Sequence, residues 1–178
     1  MRIISGQWRG RKIEFHDAEG LRPTGDRIRE TLFNWLQDDL RGAHCLDLFS
    51  GSGALGLEAA SRGAEMVVMV ESNPRTVQQL QSQIARLGAR QAVIWQGSAL
   101  DYLARVDHPF DLVFLDPPFN SDLMDKALAT LGATPAINAN TRIYLEYPRH
   151  REPELPTGWR FDKQKQAGDV GYGLASAA

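Results

Sequence analysis

The chain has 178 residues, 43% of them hydrophobic and 24% charged, a balance that excludes disordered and fibrous classes and suits one soluble domain over 1–178. A single cysteine excludes an internal disulfide framework, and there is neither a long apolar run nor a signal-peptide core, so a cytoplasmic protein is expected. The net charge of −2 is unevenly spread: residues 1–12 carry Arg2, Arg9, Arg11 and Lys12 with no acid, which leaves −6 on the remainder. A basic arm on an acidic body is the asymmetry expected where one face meets a polyanion.

Residues 1–20 contain two short β-prone runs around a glycine turn and predict a hairpin, set as an appendage on a body spanning 21–178. In "LRPTGDRIRETLFNWLQDDL" the spacing predicts a helix with Ile28, Leu32, Trp35, Leu36 and Leu40 on one face, Thr24 or Asp26 as N-cap and Gly42 as stop. "CLDLF" then reads as a strand with Cys45 a buried, inert thiol, followed by a glycine turn and the helix "ALGLEAASRG". "MVVMVE" is a buried strand. "SNPRTVQQLQSQIARLG" is a helix capped by Ser72 or Asn73, with Pro74 in its first turn and Gly88 at its end. "AVIWQ" and "FDLVFLD" are the third and fourth strands, with short helices near 98–105 and 122–131. "RIYLEY", "WRFDKQKQ" and "VGYGL" close the chain, the last two as an antiparallel pair around Gly168. This alternation predicts an α/β fold of Rossmann-like type, a doubly wound, mostly parallel sheet of seven strands.

The first strand leads into "LDLFSGSGALGLEA", where Gly51, Gly53 and Gly56 form a literal G-x-G-x-x-G, with Glu71 twenty positions beyond the first glycine. Ligands of such sheets sit at the carboxyl ends of the strands, so the turn is a binding turn by position as well as composition, and Glu71 is placed to accept both ribose hydroxyls of an adenosine. That much is common to dinucleotides and S-adenosylmethionine. Asp47 separates them: a carboxylate beside a pyrophosphate is repulsive, whereas the ammonium or sulfonium of S-adenosylmethionine welcomes it. Asp47 also reads as a structural cap or as the partner of a loop N–H.

At the end of the fourth strand stand Asp116, Pro117, Pro118 and Phe119. Two prolines stiffen this loop and give its carbonyls and the Asp116 side chain set directions. It resembles the (D/N)-P-P-(F/Y) motif of methyltransferases acting on amino groups attached to planar conjugated systems. Such an amine is a poor nucleophile because its lone pair is delocalised. Hydrogen bonds from its two N–H groups to Asp116 and the Pro117 carbonyl favour a pyramidal nitrogen, and Phe119 stacks on the ring.

With "RIISGQWRGRKI", "GLRPTGDRIRETLFNWL", "CLDLFSGSGALGLEAASRGA" and "FLDPPF" taken together, the chain resembles the RsmD family nearly end to end. Members are bacterial methyltransferases that modify guanine N2 in 16S ribosomal RNA at the nucleotide conventionally numbered 966. The resemblance implies S-adenosylmethionine as cofactor, with Asp47, Gly51 and Gly53 at its methionine end, Glu71 at the ribose, and Ser98 and Ala99 near the adenine. Thr24 and Arg27 are expected over cofactor or RNA. Arg2, Arg9, Arg11 and Lys12 grip phosphates in this reading, with Trp8 stacking on RNA or packing in the hairpin. The implied substrate is 16S rRNA in a partly or fully assembled 30S subunit, met by a monomer.

Two positions depart from the family pattern. Ser98 stands where relatives often carry Asp or Asn, and Gly173 where they commonly carry Arg. His16, His44, His108 and His150 are scattered without metal-ligand spacing, so no metal is expected. The same loop would serve a DNA adenine-N6 or protein-glutamine methyltransferase. A dinucleotide-dependent oxidoreductase would need a hydride-transfer site that the sequence does not display, and a non-catalytic RNA-binding protein would have no need of the rigid loop.

Overall fold

The computed structural model describes residues 1–15 and 25–177. Thr24 and His16 lie outside them. After the arm come α1 (Asp26–Trp35), β1 (His44–Asp47), α2 (Ala54–Ser61), β2 (Met66–Glu71), α3 (Pro74–Leu87) and β3 (Ala92–Gln96). They are followed by α4 (Ala99–Leu103), β4 (Leu112–Leu115), α5 (Leu123–Gly132), β5 (Arg142–Pro148), β6 (Arg160–Ala167) and β7 (Val170–Ser176). The strands form one sheet in the order β3-β2-β1-β4-β5-β7-β6. Pairing is parallel from β3 through β5, then β7 runs antiparallel to β5 and to β6. The predicted α/β, seven-stranded, mostly parallel sheet is the fold.

Successive side chains of a strand face opposite ways, so each central strand feeds two cores. Cys45, Met69, Phe114 and Tyr144 pack beneath α1 and α2, while Leu46, Val68, Val113 and Leu115 pack on the other face with Leu103, Leu128 and Leu131 of α4 and α5. Burial pushes the Cys45 thiol up to about 12, helped by the nearby Asp111 and Asp47 carboxylates, so it stays protonated and inert. Among the described residues no helix is long and apolar enough to cross a membrane.

Asn73 caps α3, its Oδ1 accepting from the N–H groups of Arg75 and Thr76 at 2.9 and 3.4 Å, and Gly88 ends the helix in a left-handed conformation. The cap expected for α1 is different. Gly25 occupies that position without a side-chain bond, and Asp26 is instead the first helical residue, accepting from Arg29 at 2.6 Å. The helix stops at Trp35, earlier than its apolar pattern suggests. Leu36 and Leu40 stay buried because a turn carries them onto the same core.

The arm closes as a short antiparallel hairpin, bridged at Arg2 and Lys12, with the Ile3 N–H donating to the Arg11 carbonyl at 3.0 Å and the Ile13 N–H to that of Met1 at 2.9 Å, and it packs onto the body. Ile3, Trp8 and Ile13 are buried in the core beneath α1 and α2. The backbone N–H groups of Ile4 and Ser5 donate to the Glu58 carboxylate at 2.9 and 3.0 Å, and that of Trp8 donates to Ser61 Oγ at 3.0 Å. Gly6 makes this approach possible. Its φ is +85°, and a Cβ there would stand 2.0 Å from the Ser61 carbonyl oxygen.

Candidate active site

Parallel pairing sets the carboxyl ends of β3, β2, β1 and β4 along one edge, and the strand order reverses between β1 and β4. A cleft of about 630 Å³ opens there, lined by Asp47, Gly51, Glu71, Ser98, Ala99 and the whole of Asp116–Phe119. Residues separated by seventy positions in the chain are thus brought to one wall. Asp47 pairs with Phe114, two residues before Asp116, and the Leu48 N–H donates to the Phe114 carbonyl at 3.2 Å.

Glu71 ends β2 half-buried, one oxygen accepting from the Gly51 N–H and the other from the Asn73 N–H, both at 2.9 Å. Two backbone donors hold the carboxylate in place while each oxygen keeps a further lone pair for a hydroxyl. Asp47 is 2% exposed. Burial raises its carboxyl to about 7, against the lowering effect of the Gly56 N–H, with the Glu71 charge raising it further. Its Oδ2 accepts from Gly56 N–H at 2.9 Å, in the first turn of α2. Since Gly53 at the N-cap has no side chain to offer, Asp47 supplies the missing acceptor from the strand. The reading of Asp47 as a structural cap therefore holds, and the same side chain stands in the wall of the cleft.

Gly53, between the cleft-lining Ser52 and Ala54, has φ +83°, and a Cβ there would meet Leu80 at 2.7 Å and Leu57 at 3.0 Å, so the turn and the packing of α2 both require glycine. Ser98 and Ala99 do border the cleft, although the Ser98 hydroxyl is already engaged, accepting from the Asp101 N–H at 3.1 Å as the cap of α4.

In the loop after β4, Asp116 and Phe119 are half-buried, Pro117 is buried and Pro118 exposed. Ser121 Oγ donates to the Pro118 carbonyl at 2.6 Å, bracing the turn. On the other side of the loop lies a second cleft of about 270 Å³, bounded by Pro117, Phe119, Met124, Tyr147 and the buried Glu146. Glu146 accepts from the Tyr144 hydroxyl at 2.9 Å. Burial, then the Glu146 and Asp116 charges, keep that hydroxyl protonated, well above its ordinary range.

Sequence reasoning missed Asn120, Thr76 and Glu146. The first two line the main cleft, and Asn73, recognised only as a helix cap, lines it as well. Their signal was present only as neighbours of the motifs. The described residues of the arm do not line this cleft: they dock through Glu58 and Ser61, on the half of α2 farther from the glycine turn. Arg2, Arg9, Arg11, Lys12 and Arg27 are exposed, although Arg2 donates to the Gly10 carbonyl and Arg11 to that of Arg86. Trp8 is 5% exposed, so its ring packs in the core and does not stack on a base. Among the described residues no group of His, Cys, Asp and Glu is placed to hold a metal.

The donor set fits S-adenosylmethionine: a braced diol acceptor at Glu71 and a buried carboxylate suited to a cation at Asp47 share one cleft. Residues 1–175 match the family model described as conserved hypothetical protein 95. The chain is 43% identical over 175 residues to the ribosomal RNA small subunit methyltransferase D of Escherichia coli strain K12, covering 98% of this chain and 88% of that protein. It is 42% identical to the protein of the same name from Haemophilus influenzae, covering 98% and 92% respectively. The solved structure of the Escherichia coli protein yhhF superposes with a TM-score of 0.92 at 40% identity, over 99% of this chain and 97% of that one. The chain therefore belongs to this family, the RsmD family that its motifs resemble.

Proposed function

We propose that this protein transfers a methyl group from S-adenosylmethionine to the exocyclic N2 of a guanine in 16S ribosomal RNA, the guanine that the family resemblance numbers 966. One observation carries the reading: the Asp47–Glu71 cradle and the Asp116–Phe119 loop face a single cleft at the reversal of strand order. The relatives' name, ribosomal RNA small subunit methyltransferase D, supports rRNA as the substrate class.

Glu71 binds the ribose hydroxyls, Asp47 the ammonium end, and Gly51 keeps the wall low between them. When bound, the cofactor supplies a methyl group made electrophilic by its positively charged sulfur. The chain's part is then mainly orientation, which is worth effective molarities of ~10⁵ to 10⁸ M in well-aligned systems. Asp116 and the Pro117 carbonyl accept the two amine N–H groups and turn the nitrogen lone pair toward the methyl. Asp116 takes up the proton that leaves the nitrogen. Phe119 holds the base plane, and the second cleft gives the ring room beside the loop. We further propose that Thr24 and Arg27 face cofactor or RNA, and that a monomer acts on the 30S subunit in the cytoplasm.

Labelled-methyl transfer to small subunits from a strain lacking the enzyme, followed by nucleoside analysis, tests this. N2-methylguanosine is the expected product. N6-methyladenosine, or no transfer, overturns the assignment.

A further inference from the structure

The edge strand β6 carries Lys163 and Lys165, two apart and so on one face of the sheet. Both ammonium groups sit over the same ring: the Lys163 and Lys165 Nζ atoms lie 5.9 and 6.0 Å from the centre of Trp35. Trp35 is itself backed by Tyr172, ring centres 5.6 Å apart at 27°. Both lysines are exposed, and neither makes an ion pair among the described residues.

Two relationships tie this patch to the rest of the molecule. Helix α1 ends at Trp35 and begins beside the arm, where Arg29 donates to the Arg2 carbonyl at 2.9 Å. Arg27, Thr31 and Trp35, each four apart, form one stripe along it, with exposed Arg27 at the end beside the arm and Trp35 at the end beneath the two lysines. Across the sheet, Lys165 pairs with Tyr172, Tyr172 with Glu146, and Leu145 with Leu115, which puts Lys165 in the cross-strand row of Asp116. Three strand spacings of ~4.8 Å place it about 14 Å from the loop, a distance spanned by a few nucleotides.

We propose that Lys163 and Lys165, held over Trp35, are a phosphate-gripping surface for the RNA strand flanking the target nucleotide, continuous through α1 with the basic arm. The proposal rests on the functional reading above. Edge-strand lysines also serve to block strand pairing between molecules. Guard lysines project into solvent, however, whereas these two converge on one indole, which spares them part of the entropy of being ordered at a polyanion.

The test replaces both residues, Lys163→Gln with Lys165→Gln, and measures binding to 16S rRNA transcript and to 30S subunits across salt concentration. The expected result is affinity lower by roughly 2- to 30-fold and a log–log salt slope shallower by about 1.4 to 1.8. S-adenosylhomocysteine affinity and melting temperature stay at wild-type values, and the Lys→Arg pair restores binding. In the unaltered protein, both amines become protected from acetylation when RNA is bound. Unchanged affinity and slope, or self-association of the variant at unchanged RNA affinity, overturns the proposal. A wild-type protein that neither binds nor methylates the RNA overturns the functional reading itself.

Discussion

The Oδ2 atom of Asp47 lies 2.9 Å from the amide nitrogen of Gly56, so the carboxylate that lines the cleft also caps the helix that follows the glycine turn. A Cβ on residue 56 would stand 3.0 Å from that oxygen and 3.1 Å from Met69 Cε. Gly56→Ala gains about 1 kcal/mol of helix propensity and loses about 1 to 3 kcal/mol to overpacking. The net expectation is a small loss of stability with clearly weaker S-adenosylhomocysteine binding, read by denaturant titration and calorimetry on the same variant.

Asp47 gives the ligand-free protein a characteristic pH dependence. Its carboxyl is raised to about 7 from an ordinary 3.8, so the folded state holds the proton that the unfolded chain releases. That contribution is fully present below the unfolded value and is lost as pH rises through about 7. Between pH 5.5 and 8 the wild type should lose about 2 kcal/mol from this group, while Asp47→Asn shows a flatter profile. Thermal melts of both proteins across that range measure the difference.

On the proposed role of Asp47, the same group should make ligand binding release a proton. An ammonium arriving at a protonated Asp47 favours the ionised form, so near pH 6 S-adenosylhomocysteine binding should deliver a proton to the buffer. Calorimetry in buffers of different ionisation enthalpy reads it, and Asp47→Asn should abolish the buffer dependence.

Glu71 accepts one N–H on each oxygen, and a diol needs both oxygens again. Glu71→Gln turns one acceptor into a donor that faces a backbone N–H. Hydrogen bonds to charged groups are worth about 1.5 to 3 kcal/mol, so S-adenosylhomocysteine should bind roughly 10- to 100-fold more weakly. A melting temperature close to wild type would show that the loss is local.

Asp116→Ala separates chemistry from cofactor binding. Single-turnover methyl transfer should fall by a factor of ~10² to 10⁴, with S-adenosylhomocysteine affinity nearly unchanged, because the cradle residues belong to β1 and β2. Transfer at the wild-type rate would refute the role given to this side chain.

Glu58 holds the arm. It is fully buried, receives two arm N–H groups, and pairs with Arg62 at 2.9 Å and with buried Arg29 at 3.5 Å. Removing one partner of such a set strands the others, so Glu58→Ala should cost about 3 to 5 kcal/mol. Hydrogen exchange should show faster exchange at Ile4 and Ser5.

The alternation of apolar runs with capped helices was legible because strand and helix periods, Asn73, Pro74 and Gly88 are local properties of the chain. So were the glycine turn and the Asp116 loop, whose residues are contiguous. Trp8 was ambiguous for a physical reason: an amphipathic ring between arginines is equally suited to a base or to a core, and only its neighbours in space decide. The arm misled because Glu58 and Ser61, which receive its backbone donors, lie more than fifty residues away.

Gly53 shows the same division. Its motif position marks a tight turn, but that a Cβ there would run into Leu80 and Leu57 depends on φ and on where those side chains come to lie. The sequence by itself determined the elements, their order and the chemistry that each motif offers, since these follow from propensity, periodicity and contiguous spacing. Only the tertiary structure decided which motifs share a cleft, that Asp47 caps the helix and lines the cleft at once, and that two lysines of β6 converge on Trp35. Those relationships depend on sheet register and on burial, which arise between segments far apart in the chain.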